Sequence, residues 1–264
     1  MHGAADARPP PRPAAKCQVI LARALNSREE SLKSVPWMIA LLFVLLPPVR
    51  VPEKKLSREE ARFKIYLSGK EIGTEEYSIL SSNDSASSSS ILDFRGLADK
   101  HQKIQMETQL EMDSSFLPRS YRLNSDVDGQ KGTIVGTFTP SQAIFEYKGS
   151  GTPRKGGLLV GDRYTVLDTN IFHHFIFLAR LFKYGSGDKS QPFEVVVPQE
   201  QDNGILKISE IGRETIVALG KKTQVHHLRV DSGLLLIDLW VEDRRILHKI
   251  AVPSKGIEAI WVPH

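Results

Sequence analysis

Polar and apolar residues alternate most cleanly between His101 and Asp113. Ile104, Met106, Thr108, Leu110 and Met112 point one way there, and Lys103, Gln105, Glu107, Gln109 and Glu111 the other. A period of two over this length predicts a strand with one face on a core and one in water. The same pattern recurs in shorter form upstream and downstream. Ala61–Ser68 and Ile72–Leu80 flank a tight Gly69–Gly73 turn, and Ile91–Gly96, Tyr121–Val127, Gly132–Thr139 and Gln142–Tyr147 continue the series. Phe193–Val197, Ile205–Ile211, Glu214–Leu219, Thr223–Val230, Leu234–Val241, Ile246–Val252 and Ile257–Val262 read as seven more strands. The serine-rich stretch after Leu80, through residue 90, reads as a flexible loop, and so does glycine-rich Gly149–Gly161.

One segment breaks the period of two. Leu167–Tyr184 places Ile171, Phe172, Phe175, Ile176, Leu178, Ala179 and Phe182 at helical spacing, while Phe177 and Leu181 spill onto its flanks. Asp168 or Thr169 is placed to cap its first turn, Arg180 and Lys183 suit the negative end of its dipole, and Gly185 follows as a stop. At about 1.5 Å per residue it is about 25 Å long, and it carries His173, His174 and Arg180 internally, so it is not read as a membrane span. About six strands, one helix and about seven strands is not a βαβ order; an antiparallel meander is the economical topology.

Charge and composition narrow the function. With 41% apolar and 25% charged residues the 264-residue chain is ordinary globular material. Its surplus of basic residues lies in the leader: residues 1–56 hold nine Lys/Arg and four Asp/Glu, leaving 26 basic against 27 acidic residues after them. The body therefore has no excess charge with which to hold phosphates, and nucleic acid is not an expected partner. A single cysteine, Cys17, excludes an intrachain disulfide or a four-cysteine zinc site.

The leader has its own organisation. Residues 1–31 contain RPPPRP and no sustained period, and are expected to be disordered or to precede the true start. Lys33 followed by the apolar run Val35–Leu46 and Pro47-Pro48 has the shape of a signal peptide or membrane anchor over 32–48. Cleavage between about Pro47 and Leu56, an uncleaved anchor and a buried apolar segment remain three readings. Residues 49–60 form a polar linker, and 61–264 a single β-rich domain.

Candidate chemistry adds little. H-E-x-x-H, G-x-S-x-G, Cys/His pairs and dinucleotide glycines are absent, and Arg154-Lys155 in the glycine-rich loop lacks the G-x-x-x-x-G-K-[ST] context of a phosphate loop. His173-His174 and His226-His227 are adjacent, so the members of each pair point apart and do not readily chelate one metal. Each pair is expected to split, one ring hydrogen-bonded near the core and one in solvent; a composite metal site of one histidine from each pair with Asp238 is the less favoured arrangement. Asp168 reads as a cap before it reads as an acid catalyst. No catalytic residue, metal or cofactor is implied.

Three stretches carry a resemblance: RFKIYLSGKEIGTEEYSI, YTVLDTNIFHHFIFL and LWVEDRRILHKIAVP. Together they resemble a group of uncharacterised exported bacterial proteins, themselves similar in fold to the periplasmic lipoprotein carriers of the LolA and LolB type. The resemblance implies a mainly β fold over about 61–264: a strongly curved antiparallel sheet, an open half-barrel, with one covering α-helix. It also implies an exported, non-enzymatic protein of the periplasm or cell envelope, binding a lipid or a lipidated partner between helix and sheet. Phe172, Phe175, Phe182, Ile104, Met106, Leu110, Leu235, Ile237 and Leu239 are the expected lining of such a site. A structural or protein-interaction domain with a filled core is the alternative, and an envelope hydrolase the third reading.

Overall fold

The computed structural model of the chain describes residues 56–95, 103–188, 190–243 and 246–264. The leader, with its apolar run and Cys17, lies outside them. Among the described residues no helix is long and apolar enough to cross a membrane.

Among the described residues, nine strands precede one α-helix and six follow it. They are β1 (Ser57–Leu67), β2 (Lys70–Ser81), β3 (Ser85–Arg95), β4 (Lys103–Asp113), β5 (Pro118–Val127), β6 (Gln130–Thr139), β7 (Gln142–Lys148), β8 (Arg154–Leu159) and β9 (Tyr164–Val166). Helix α1 (His174–Leu181) comes next, then β10 (Gln191–Val197), β11 (Asp202–Ala218), β12 (Lys221–Asp231), β13 (Leu236–Glu242), β14 (Leu247–Val252) and β15 (Ile257–Pro263). All fifteen strands belong to one sheet, in the order β8 back to β1, then β15 back to β9. Neighbours are antiparallel, except that β9 lies parallel to β10. The first and last strands pair in the middle of the sheet, with Ala61 opposite Pro263 and Leu67 opposite Ile257.

Local chemistry explains the hairpins. Ser68-Gly69, Asp128-Gly129 and Leu219-Gly220 each have positive φ at both residues, the two-residue turn whose twist matches that of the strands it joins. The sheet's two free edges, β8 and β9, are consecutive in sequence, so the curved sheet brings its ends together without closing. Side chains span the seam: Asn203 Nδ2 donates to Leu159 O at 2.8 Å, Tyr147 OH to Pro198 O at 3.1 Å, and Glu194 Oε2 accepts from Gly161 N at 2.9 Å.

Several expectations need correction. Ser85–Ser90 is not a loop but the first half of β3, whose inward positions are Ala86, Ser88 and Ser90. Gly149–Gly161 contains β8, and the two strands expected over 205–219 are one long strand with a bulge between Glu210 and Gly212. The helix is less than half its expected length. Residues 167–173 approach it as an extended segment and turns, held by tertiary hydrogen bonds rather than by helical ones.

Inside the curve, α1 is surrounded. Ile176, Phe177, Leu178 and Ala179 are each at most 1% exposed, and four successive residues cover a helix's whole circumference. Phe177 packs against Phe116 with ring centroids 5.6 Å apart, and Phe172 meets Phe94 edge-on at 6.3 Å. The small inward residues of β3 leave room for this approach, and burying each large side chain contributes roughly 1.5–3 kcal/mol.

Candidate functional site

The entry to α1 is fixed by a carboxylate from β2. Glu75 lies on β2, where Tyr77 and Ile79 at the same parity are buried, so its side chain enters the core. Glu75 Oε2 accepts from Phe172 N at 2.8 Å and His173 N at 3.0 Å, just ahead of the first helical turn, where a negative charge also suits the dipole. Neither Asp168 nor Thr169 caps the helix, as the sequence leads one to expect; the acceptor is 97 positions upstream. Glu75 Oε1 lies 2.6 Å from His173 Nδ1, and His173 Nε2 lies 3.1 Å from Ser88 Oγ.

A second carboxylate holds the approach segment. Asp168 Oδ2 accepts from Tyr121 OH at 2.7 Å, and Oδ1 accepts from Thr169 N and Gln199 N, each at 2.9 Å. Burial pushes its pKa up to about 6, against the pull of those donors. His174 Nδ1 accepts from Asp168 N at 3.1 Å, which leaves Nε2 carrying the ring proton, buried and without a partner among the described residues. Burial, with the neighbouring His173, holds this imidazole well below its ordinary pKa and so neutral. Burial together with Asp168 and Glu75 likewise raises the Tyr121 phenol.

Serine, imidazole and carboxylate in this sequence of contacts are the parts of an activated nucleophile. Here they are enclosed: Glu75 and His173 are 0% exposed and Ser88 4%. The three side chains tie residues 172–173 to β2 and β3. Sequence reasoning missed Glu75 and Ser88. The parity of Glu75 with Tyr77 and Ile79 was the signal that places it inside.

The second histidine pair is also largely buried, His226 6% and His227 8% exposed, so neither pair divides between core and solvent. His226 Nδ1 lies 2.6 Å from Glu210 Oε1, and its Nε2 lies 2.9 Å from Asp243 Oδ1. His227, on the opposite face of β12, sits between Glu214 Oε1 at 2.7 Å and Asp238 Oδ1 at 3.1 Å, and stacks on Trp240 with centroids 4.7 Å apart. Asp238 is pushed up by burial but held below its ordinary pKa overall by Arg229 and His227. Among the described residues no group of three or more His, Cys, Asp or Glu side chains is arranged to hold a metal ion.

The expected apolar lining is brought together, but as core. Met106, Leu110, Phe172, Phe182, Ile237 and Leu239 are buried, and Ile104, Phe175 and Leu235 are half-buried against the same cluster.

Open space lies instead beyond the C-terminal end of α1. A cleft of about 300 Å³ runs between that end, β9, β10 and the β4–β5 turn. Leu117, Tyr164, Leu181 and Phe193 supply its apolar surface, and Arg163 and Lys183 stand exposed at its rim. Neither cation has an ion-pair or hydrogen-bond partner for its side chain among the described residues. The carboxylates of Asp162 and Asp188 share the rim.

No protein-family model matches the sequence, and no curated protein matches it. Among solved structures it is similar to one described as a beta-barrel-like protein of domain of unknown function DUF1849 from Brucella abortus. The two are 13% identical with a TM-score of 0.56, over 80% of this chain and 98% of that one. At that identity the likeness shows the fold alone: a curved, β-barrel-like sheet, without singling out the lipoprotein carriers.

Proposed function

We propose that this is a non-enzymatic binding protein of the cell envelope that holds the apolar part of a lipid or a lipidated partner in the cleft at the C-terminal end of α1. The observation that carries this reading is the cleft itself, with apolar surface from Leu117, Leu181 and Phe193 and a rim that carries both the cations Arg163 and Lys183 and the carboxylates of Asp162 and Asp188. Its volume is at the lower end of the ~300–1,000 Å³ typical of small-molecule sites. The binding site thus moves from the flank of the helix, where the rings are packed, to its end. Lys33 and the apolar run Val35–Leu46 support export, and the enclosure of Ser88 favours a binding role over a hydrolytic one.

Titration of folded protein with a fluorescent fatty acid tests the reading. Saturable binding, lost in Leu181→Asp while the circular dichroism spectrum is unchanged, is the expected result. Absence of binding at tens of micromolar leaves the second reading, a structural or protein-interaction domain, which the packing around Phe177 favours.

A further inference from the structure

The strands on either side of the β11–β12 hairpin stop short of it. β10 begins at Gln191, opposite Ile208, and β13 ends at Glu242, opposite Val225. From Gly212 to Ala218, and back from Lys221 to Gln224, the two strands therefore pair only with each other among the described residues. At about 3.3 Å per residue this ribbon stands about 20 Å clear of the sheet. Its root is held: Arg213 lies 3.5 Å from Asp243, and Glu214 accepts from Trp240 Nε1 at 3.0 Å and faces His227 Nδ1 at 2.7 Å. Its tip stands in open space, where a Cβ added at Gly220 would meet no atom within 4 Å.

The chemistry of the ribbon changes toward that tip. Thr215–Gln224, TIVALGKKTQ, contains no acidic residue. Val217 is 72% and Leu219 58% exposed, and neither belongs to the core. Lys221 and Lys222 are exposed, with no ion-pair or hydrogen-bond partner for their side chains among the described residues. Val217 and Lys222 are cross-strand partners, so apolar and cationic groups share one level of the ribbon. Leu219 also occupies a strained position. Its φ is +50°, in the first place of a turn that Ser68 and Asp128 fill in the two other hairpins of this type. A left-handed backbone disfavours leucine, and no packing inside the fold offsets that strain.

We infer that the tip of this hairpin docks on a lipid surface that carries anionic headgroups, with Val217 and Leu219 at the acyl boundary and Lys221 and Lys222 among the phosphates. Lysine suits that level, because its stem lies along apolar surface while the ammonium stays in the polar layer. The ribbon's unpaired main-chain edges set the depth: such groups remain hydrated among headgroups and have no partners in hydrocarbon. The hairpin leaves the sheet at the end where Gln191 and Phe193 line the cleft, so docking turns the cleft toward the same surface. β1 also starts at that end, with Ala61 opposite Pro263, and residues 47–56 join it to the apolar run Val35–Leu46. A chain anchored by that run carries this end toward the membrane. The inference rests on the envelope location proposed above and not on a ligand in the cleft.

Fluorescence of the full chain tests this. Cys17→Ser removes the single cysteine, after which Leu219→Cys or Ile205→Cys accepts one environment-sensitive thiol label. Ile205, 68% exposed, lies on the same strand near its opposite end and serves as the control. Vesicles of phosphatidylcholine and phosphatidylglycerol, in a ratio of roughly three to one, should shift the label at position 219 to the blue and leave that at position 205 unchanged, whatever the leader adds to binding. Lys221→Gln together with Lys222→Gln should lower the tip's partition into these vesicles on the order of 25-fold, about fivefold for each lysine. All these substitutions lie on exposed positions and should leave the circular dichroism spectrum unchanged. A label at position 219 that stays unshifted overturns the inference, whether or not the chain sediments with the vesicles. So does a shift that is as large at position 205, or as large on pure phosphatidylcholine. The fatty-acid titration reads the cleft alone, so either reading can fail without the other.

Discussion

His173 Nδ1 lies 2.6 Å from Glu75 Oε1, and neither side chain has any solvent exposure. The contact joins residues 98 positions apart and fixes where the chain leaves the sheet to enter the helix. Replacing one member of such a pair leaves the other's polar atoms buried, together with the two main-chain N–H groups that Glu75 satisfied. Glu75→Ala should therefore cost about 3–5 kcal/mol. Ser88→Ala removes one hydrogen bond from the far side of the same ring and should cost less, about 1–3 kcal/mol. Urea denaturation of the two variants checks the order, and a smaller loss for Glu75→Ala than for Ser88→Ala would refute the anchoring role.

The two faces of β4 differ in a way that one pair of neighbours measures. Leu110 is 0% exposed and Gln109 is exposed. Leu110→Asp buries a charge with no partner and should destabilise by several kcal/mol, whereas Gln109→Asp should stay within about 0.5 kcal/mol. Equal shifts in Tm for the two would show the faces reversed.

Two rings of α1 make the same kind of comparison inside the barrel. Phe177 is 0% exposed and touches Phe116 and both histidine rings of the entry segment, while Phe175 is half-buried. Phe177→Ala should cost about 3–5 kcal/mol and Phe175→Ala clearly less. Hydrogen exchange in α1 as slow as in the central strands accompanies that outcome; a small loss at Phe177 would mean that the helix covers an empty interior.

These contrasts mark what the sequence could and could not convey. β4 is legible because large apolar residues alternate with charged ones over eleven positions. Inward positions on β3 are Ala86, Ser88 and Ser90, so the alternation there is one of size and orientation, and hydropathy carries no trace of it. β8 is hidden for a related reason: Gly156 and Gly157 propose a turn, and only pairing with β7 makes them a strand. The helix reads as too long because residues 167–173 share its apolar composition. What delays its start is Glu75 accepting from Phe172 N and His173 N, while Gln199 donates from its main chain to the Asp168 carboxylate and from its side chain to Thr169 O, a tertiary effect that no local window contains. The cleft is assembled from four separate segments and leaves no contiguous motif, so nothing in the sequence marks Arg163, and Lys183 reads there only as a cation at the end of the helix.

Asp168 gives the fold a pH dependence of unusual sign. Its carboxyl has a folded-state pKa of about 6 against an ordinary 3.8, chiefly because burial disfavours the charge. Between those two values the folded protein binds a proton that the unfolded chain does not, so acidification through this window stabilises the fold at this site. Above pH 6 the group is ionised in both states, and that contribution is gone. Asp238, held below its ordinary pKa, acts in the opposite direction and loses its contribution as the pH falls. The signal must therefore be read against a variant that removes Asp168 alone. Asp168→Asn keeps an oxygen to accept from Thr169 N and Gln199 N but cannot titrate. Measured by urea denaturation, the stability of the native protein relative to Asp168→Asn should rise as the pH is lowered from 7 to 4, by an amount on the order of 3 kcal/mol from about 1.4 kcal/mol per pKa unit. A difference that stays flat across that window, or that falls, would mean the carboxylate is held ionised by Tyr121, Thr169 and Gln199 more firmly than its burial opposes.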